Sequence, residues 1–218
     1  MQYKGVIFDL DGTLIDSLED IADALNAVLE KNGIQAHAYA EYRQFIGEGM
    51  NNLISKALPE KLRTEAWLSR LLLAMREEYR ARCLDKTKPF AGMEELLREL
   101  SARGMKLAVL SNKIDELTKS VTLALFPGVR FEQLLGTSEE TPRKPDPAGA
   151  LRIVKQIGVA PADVIYVGDS GVDMKVANRA GFLPVGALWG YRTKEELLAE
   201  GAKHLIQHPG ELLKLLEA

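Results

Sequence analysis

The sequence predicts an α/β fold, a doubly wound parallel sheet with an all-helical block inserted near its start. Three observations point there. The chain opens on an apolar run, Gly5-Val6-Ile7-Phe8, that stops at Asp9-Leu10-Asp11-Gly12-Thr13-Leu14. Residues 16–85 carry helical periodicity and nothing that alternates like a strand. From Pro89 onward, short apolar runs alternate with amphipathic stretches, as strands joined by right-handed helical crossovers do.

Gly5-Val6-Ile7-Phe8 is β-branched and aromatic, which suits a short buried strand. Side chains of an extended segment alternate faces, so Asp9 and Asp11 are expected to project alike, about 7 Å apart at the backbone. Gly12 then permits a sharp turn. Ser17-Leu18-Glu19-Asp20 reads as a capping box opening a helix whose stripe is Ile21, Leu25, Val28 and Leu29, with Gly33 as its stop. Further helices are expected over 39–45, 50–58 and 60–82, the last marked by Leu68, Leu71, Leu72, Met75 and Tyr79. The division that follows is a core domain of residues 1–15 and 86–218 with a helical domain, 16–85, set into it.

In the second part, Met93, Leu96, Leu97 and Leu100 form an amphipathic helix closed by Gly104. Strands are expected over 106–110, 131–135, 164–167, 184–188 and 204–206. Helices are expected over 114–125, 148–157, 172–180, 194–200 and 210–216.

Composition narrows the function classes. The 218 residues are 46% hydrophobic and 27% charged, enough for a buried core in an ordinary globular protein. A net charge of −3 gives no sign of a basic surface for nucleic acid. The lone Cys83 rules out an internal disulfide framework and is read as a passive thiol. No apolar run approaches membrane-spanning length, and Met1-Gln2-Tyr3-Lys4 leads straight into the first strand without a signal peptide, so a cytoplasmic location is expected. Oligomeric state is left open.

In doubly wound sheets, ligands bind outside the carboxyl ends of the strands. Four polar sets fall at that edge: Asp9 with Asp11; Ser111-Asn112-Lys113; Arg143-Lys144-Pro145-Asp146-Pro147; and Gly168-Asp169-Ser170-Gly171-Val172-Asp173. Together they supply carboxylates, a hydroxyl beside backbone amides, and a lysine, the inventory of metal-assisted phosphoryl transfer. Converging carboxylates repel unless a cation such as Mg²⁺ or a shared proton lies between them. Each set has a plainer reading. Asp11-Gly12 could be a turn, Ser111-Asn112 a helix cap, Lys144 a solvated loop residue, and Asp169 with Asp173 a charge balance for a helix start. Four coincidences on one sheet edge are improbable, and the functional reading is preferred.

These motifs, in this order, resemble the signature of the haloacid dehalogenase superfamily, and the helical block is similar to the small α-helical cap of that superfamily's first cap class. Leu110-Ser111-Asn112-Lys113, Leu188-Trp189-Gly190-Tyr191-Arg192 and Ile46-Gly47-Glu48-Gly49-Met50 resemble phosphoglycolate-phosphatase-like members. The resemblance implies Asp9 as nucleophile, forming an aspartyl-phosphate, and Asp11 as general acid and then base. It implies Mg²⁺ held by the Asp9 carboxylate, the Asp11 carbonyl and Asp169, with Asp173 acting through water. Thr13, Ser111, Asn112 and Lys144 would hold the phosphoryl group, Lys144 also offsetting charge on the nucleophile. The expected substrate is a small phosphorylated metabolite such as 2-phosphoglycolate. A sugar phosphomutase, a pyrophosphatase or an idle phosphate-binding module would keep the same motifs. A dehalogenase would need neither metal nor Asp11, and a phosphonate hydrolase would need a cap amine, for which Lys56 is the one candidate. Arg192 could reach a substrate carboxylate, and Gly47-Glu48-Gly49 could close over the substrate. His37, His204 and His208 lack metal-ligand spacing and are read as structural or surface residues.

Overall fold

A computed structural model describes residues 3–217. Its centre is a six-stranded, all-parallel sheet of β1 (Gly5–Phe8), β4 (Lys106–Ile114), β5 (Gln133–Thr137), β6 (Val164–Gly168), β7 (Leu183–Ala187) and β8 (His204–Ile206), in the order β5-β4-β1-β6-β7-β8. β1 therefore lies inside the sheet, which is why all four of its residues are buried. The register sets Val6 beside Leu107 and Ile165, and Ile7 beside Ala108 and Tyr166. Alternation then sorts the strands into two cores. Val6, Phe8, Val109 and Val167 pack on one face with α5 (Met93–Ala102) and α6 (Asp115–Leu125). Ile7, Ala108, Leu110 and Tyr166 pack on the other with α7 (Ala148–Ile157) and α8 (Gly171–Ala180).

Four helices, α1 (Leu18–Lys31), α2 (Tyr39–Phe45), α3 (Met50–Ala57) and α4 (Glu65–Arg82), fall between two short strands, β2 (Ile15–Asp16) and β3 (Lys88–Pro89). β2 and β3 pair antiparallel and fasten the two ends of the block together, a pairing too short to read from the sequence. Buried Asp20 strengthens that neck by accepting hydrogen bonds from the Lys86 and Thr87 backbone N–H groups and the Thr87 hydroxyl. Leu25, Leu29, Tyr42, Ile54, Leu71, Met75 and Tyr79 form the interior of the block, continuous with the first sheet core. The chain closes on α9 (Lys194–Ala199) and α10 (Leu212–Leu215).

Several sequence expectations are corrected. The predicted 60–82 helix splits into a 3₁₀ turn, Glu60–Leu62, and α4, because the Thr64 hydroxyl accepts the Trp67 N–H and starts the helix afresh. The strand expected at 131–135 lies at Gln133–Thr137; Phe131 packs edge-on against Phe126 instead. The 210–216 helix is a 3₁₀ turn, Pro209–Glu211, followed by one α turn. Ser17 precedes α1 without capping it, since its hydroxyl is committed to Asp11. β4 runs on through a bulge to Ile114, so Ser111 and Asn112 belong to the strand and do not cap α6.

Candidate active site

The carboxyl edge of the sheet gathers all four polar sets. β1 ends at Phe8, and Asp9 follows at once, its carboxylate Oδ1 accepting the Leu10 N–H at 2.7 Å. β6 delivers Asp169 just past Gly168, and Ser170 caps α8 in a box with Asp173, whose Oδ2 accepts both the Ser170 N–H and hydroxyl. The helix-start role of Asp173 and its place in the site are therefore one arrangement. Carboxylate oxygens of Asp9, Asp169 and Asp173 lie within 4.8 Å of one another, all buried. Lys144 is wedged among them, its Nζ 2.7 Å from both Asp9 Oδ1 and Asp173 Oδ1, with its side chain 1% exposed.

Three buried acids against one ammonium leave the cluster short of positive charge. Burial, then Asp173, pushes the Asp9 carboxyl well above its ordinary value in spite of Lys144. Burial and Asp173 likewise raise Asp169 to about 7, although the Tyr191 N–H bond to its Oδ2 at 2.7 Å works against the rise. Lys144 is raised as well, and for it the rise favours the charged form. Burial alone would lower it, but Asp173 and Asp9 hold it well above the usual lysine range. The donor set is all oxygen, and Asp9 keeps Oδ2 clear of its Leu10 and Lys144 bonds. Such a site fits a hard divalent cation.

Asp11 stands apart from this trio. Its Oδ1 accepts the Ser17 hydroxyl at 2.6 Å and lies 2.8 Å from the Lys113 ammonium. Asp9 and Asp11 nonetheless line one cavity of about 60 Å³ between the sheet edge and the helical block, with Ser111, Asn112, Gly47 and Gly49 also on its wall. At roughly 10–15 Å³ per water, that is space for a handful of waters or one small molecule. Thr13 is not on the wall. It is fully buried, and its hydroxyl donates to Asp169 Oδ1 at 3.3 Å. Asn112 binds in two directions, accepting the Lys144 N–H at 2.8 Å and donating to the Gly47 carbonyl at 2.9 Å. It thus ties the Lys144 loop and the helical block to β4.

The Trp189-to-Arg192 stretch is a brace for this edge. The Trp189 indole donates to the Thr13 carbonyl and the Tyr191 N–H to Asp169. Arg192 does not face the cavity; its guanidinium donates to the Arg43, Gln44 and Ile46 carbonyls where α2 ends. Lys56 is likewise engaged, with Glu48 at 2.8 Å. His37 is held by Glu41 and the Ala57 carbonyl, and Cys83 is a buried free thiol.

Two glycines close directly on Asp169. Gly12 sits at φ +87°, and a Cβ there would overlap the Asp169 carboxylate. A Cβ on Gly190 would overlap both Asp169 and the Gly12 carbonyl. Gly190→Ala is expected to destabilise the fold by about 1–3 kcal/mol through overpacking and to cut turnover by displacing Asp169; urea denaturation and steady-state rates check both.

Residues 6–187 match the family model for haloacid dehalogenase-like hydrolases. The chain belongs to that family. It is 33% identical over 212 residues to the phosphoglycolate phosphatase of Aquifex aeolicus, covering 97% of this chain and 96% of that one. Against the phosphoglycolate phosphatase of Xylella fastidiosa strain Temecula1 it is 35% identical over 193 residues, covering 88% and 83%. A solved structure from Lactobacillus delbrueckii subsp. bulgaricus, of a proposed phosphoglycolate phosphatase, superimposes with a TM-score of 0.93 at 30% identity over 99% of both chains. Within the family the chain is phosphoglycolate-phosphatase-like, a phosphoric monoester hydrolase. Among the described residues no helix is long and apolar enough to cross a membrane.

Sequence reading left two contributors without a role. Lys113 stood in the second polar set and Tyr79 in the α4 stripe; in the structure the Lys113 ammonium donates to the Tyr79 hydroxyl at 2.7 Å. The available signal was adjacency, since Lys113 directly follows Ser111 and Asn112 in the polar set at the strand end, and all three line the cavity.

Proposed function

We propose that the chain is a Mg²⁺-dependent phosphatase, cytoplasmic in location, acting on a small phosphomonoester such as 2-phosphoglycolate through an aspartyl-phosphate. The observation that carries this reading is the buried Asp9, Asp169 and Asp173 cluster with Lys144 wedged into it. Three carboxylates forced together have no structural purpose that apolar side chains would not serve better.

The chemistry follows from the contacts. The Leu10 N–H and Lys144 fix the Asp9 carboxylate through Oδ1, and one of its two oxygens attacks phosphorus while the other is left for the metal. As the Asp9 oxygen bonds to phosphorus, the bond from phosphorus to the ester oxygen breaks, and Asp11 gives that oxygen its proton. Asp11, now ionised, takes a proton from water, which attacks phosphorus and frees Asp9. Ser111 and the Asn112 amide bind the phosphoryl oxygens, and Lys144 offsets negative charge as two anions approach. Asp9, Asp169 and the Asp11 carbonyl would hold Mg²⁺, with Asp173 acting through water, and the ion would supply charge neutralisation at the phosphoryl group. Residues 16–85 serve as a cap that excludes bulk water and large substrates.

The test is phosphate release with Mg²⁺ and with EDTA, across 2-phosphoglycolate, pyrophosphate, nucleoside monophosphates, sugar phosphates and an aryl phosphate. Metal-dependent turnover favouring 2-phosphoglycolate supports the reading; a preference for pyrophosphate, or phosphate binding without turnover, overturns it.

Thermal melts give an independent check. The folded pKa of Asp169 lies near 7, above its ordinary 3.8. Its protonated form is therefore the one the metal-free fold prefers. That contribution is complete below 3.8 and lost as the pH rises through 7. Metal-free protein should melt at a higher temperature at pH 5.5 than at pH 7.5 as far as this group decides. Mg²⁺ at about 100 times its Kd adds roughly 2.7 kcal/mol, or roughly 5–10 °C for a chain this size. The gain should be larger at pH 7.5, because protons compete for the same carboxylates at lower pH.

A further inference from the structure

We infer that Lys113 is the specificity residue of this site, binding an anionic group, a carboxylate, on the carbon next to the ester oxygen of the substrate. The inference rests on the phosphatase reading above and narrows it to phosphorylated 2-hydroxy acids. Three observations lead to it.

First, among the described residues Lys113 is the one cation on the cavity wall; the other charged side chains there are Asp9 and Asp11. Away from the phosphoryl end the wall is apolar, with Ile21, Ile46, Met50 and Leu53. Among the described residues no second cationic side chain lines that wall to receive a substrate carboxylate. Arg192 is spent on the carbonyls at the end of α2, and Arg143 lines the adjoining open groove on the far side of Met50, Asn112 and Ile114, outside this cavity's wall.

Second, the ammonium is held but not saturated. Its side chain is 4% exposed, and two of its three N–H donors are placed, one on Asp11 Oδ1 at 2.8 Å and one on the Tyr79 hydroxyl at 2.7 Å. Among the described residues the third N–H has no partner. A buried ammonium with a vacant donor beside a cavity is an anion-binding group already oriented.

Third, its position matches the chemistry. Asp11 must reach the ester oxygen to protonate it, and the Lys113 nitrogen is in contact with Asp11. A carboxylate on the adjoining carbon lies two bonds from that oxygen, within reach of the same nitrogen. An anionic group farther along a sugar or nucleoside would miss it.

The experiment compares kcat/KM for 2-phosphoglycolate and for 2-phosphoglycolamide, which has the same shape without the charge. The wild-type enzyme, loaded with Mg²⁺, should prefer the acid by roughly 10- to 100-fold, the worth of one charge-assisted hydrogen bond. Lys113→Met should bring that ratio near one, and Lys113→Arg should restore part of it. Loss of support for Asp11 slows both substrates equally and divides out of the ratio, so a merely structural lysine would leave it unchanged. Tyr79→Phe removes the lysine's neutral partner and should retain the preference.

An unchanged ratio in Lys113→Met overturns the inference while leaving the phosphatase reading intact. Equal rates on acid and amide in the wild type overturn it without any variant, which covers failure of Lys113→Met to fold. No turnover on either ester, or on any in the wider panel, removes the phosphatase reading and this inference with it.

Discussion

Asp9→Asn should abolish phosphate release, lowering kcat by at least roughly 10⁴-fold, while the metal-free variant melts at or above the temperature of the parent. The two effects share one cause. Asp9 is buried among Asp173 and Asp169, and that crowding holds its carboxyl well above the ordinary range. A neutral amide removes one of the like charges and still accepts the Leu10 N–H and the Lys144 ammonium through its carbonyl oxygen. Lys144 keeps Asp173 at 2.7 Å. What disappears is the anionic nucleophile. Phosphate release and thermal melts in EDTA measure the pair of effects. Retained turnover would remove Asp9 from its proposed role, and a large fall in melting temperature would show that the carboxylate is structural. An increase in stability with loss of activity is the mark of a group kept for chemistry.

Lys144→Met should act in the opposite direction on stability. The substitution removes the one cation that, among the described residues, sits with these three buried carboxylates. Breaking a buried ion pair by deleting one partner costs about 3–5 kcal/mol, and for a chain of this size that corresponds to a melting temperature lower by roughly 6–20 °C. Turnover should also fall steeply, because the remaining negative charge opposes an approaching phosphate. The pH dependence separates this cause from lost packing. Without the ammonium, the buried Asp9 carboxyl resists ionisation more strongly, so the folded variant binds protons more tightly than the unfolded chain does. Its deficit should be greatest at pH 8 and shrink toward pH 5. A deficit independent of pH would mean that the lysine stem, and not its charge, was the missing part. The pair of variants makes a sharp contrast, since Asp9 and Lys144 touch each other yet their removal should shift stability in opposite directions.

The sheet was legible in the sequence because a central parallel strand must be apolar on both faces. Val6, Ile7 and Phe8, and Val164 to Val167, are such runs, and the acids that end them mark the ligand edge. The block of helices was legible through its long stripes, as with Leu71, Met75 and Tyr79 on α4. Ends of elements were less so. Thr64 restarted a helix that periodicity ran together, and a bulge carried β4 three residues past the polar Ser111. Neither event changes hydrophobic period, so neither leaves a trace in it.

For the site, the sequence by itself determined which residue types meet and in what order, since parallel strands bring their carboxyl ends to one edge whatever lies between. Asp9, Asp169, Asp173, Lys144, Ser111 and Asn112 were found that way. Only the tertiary structure decided which of them touch. Lys144 could be placed between Asp9 and Asp173 only by knowing distances across three loops. Thr13 turned to Asp169 and off the cavity wall. Ser17 and Arg192 went to Asp11 and the α2 carbonyls, and Lys113 met Tyr79 from a helix 34 residues away. Pairings of this kind depend on long-range packing, which one-dimensional spacing does not encode.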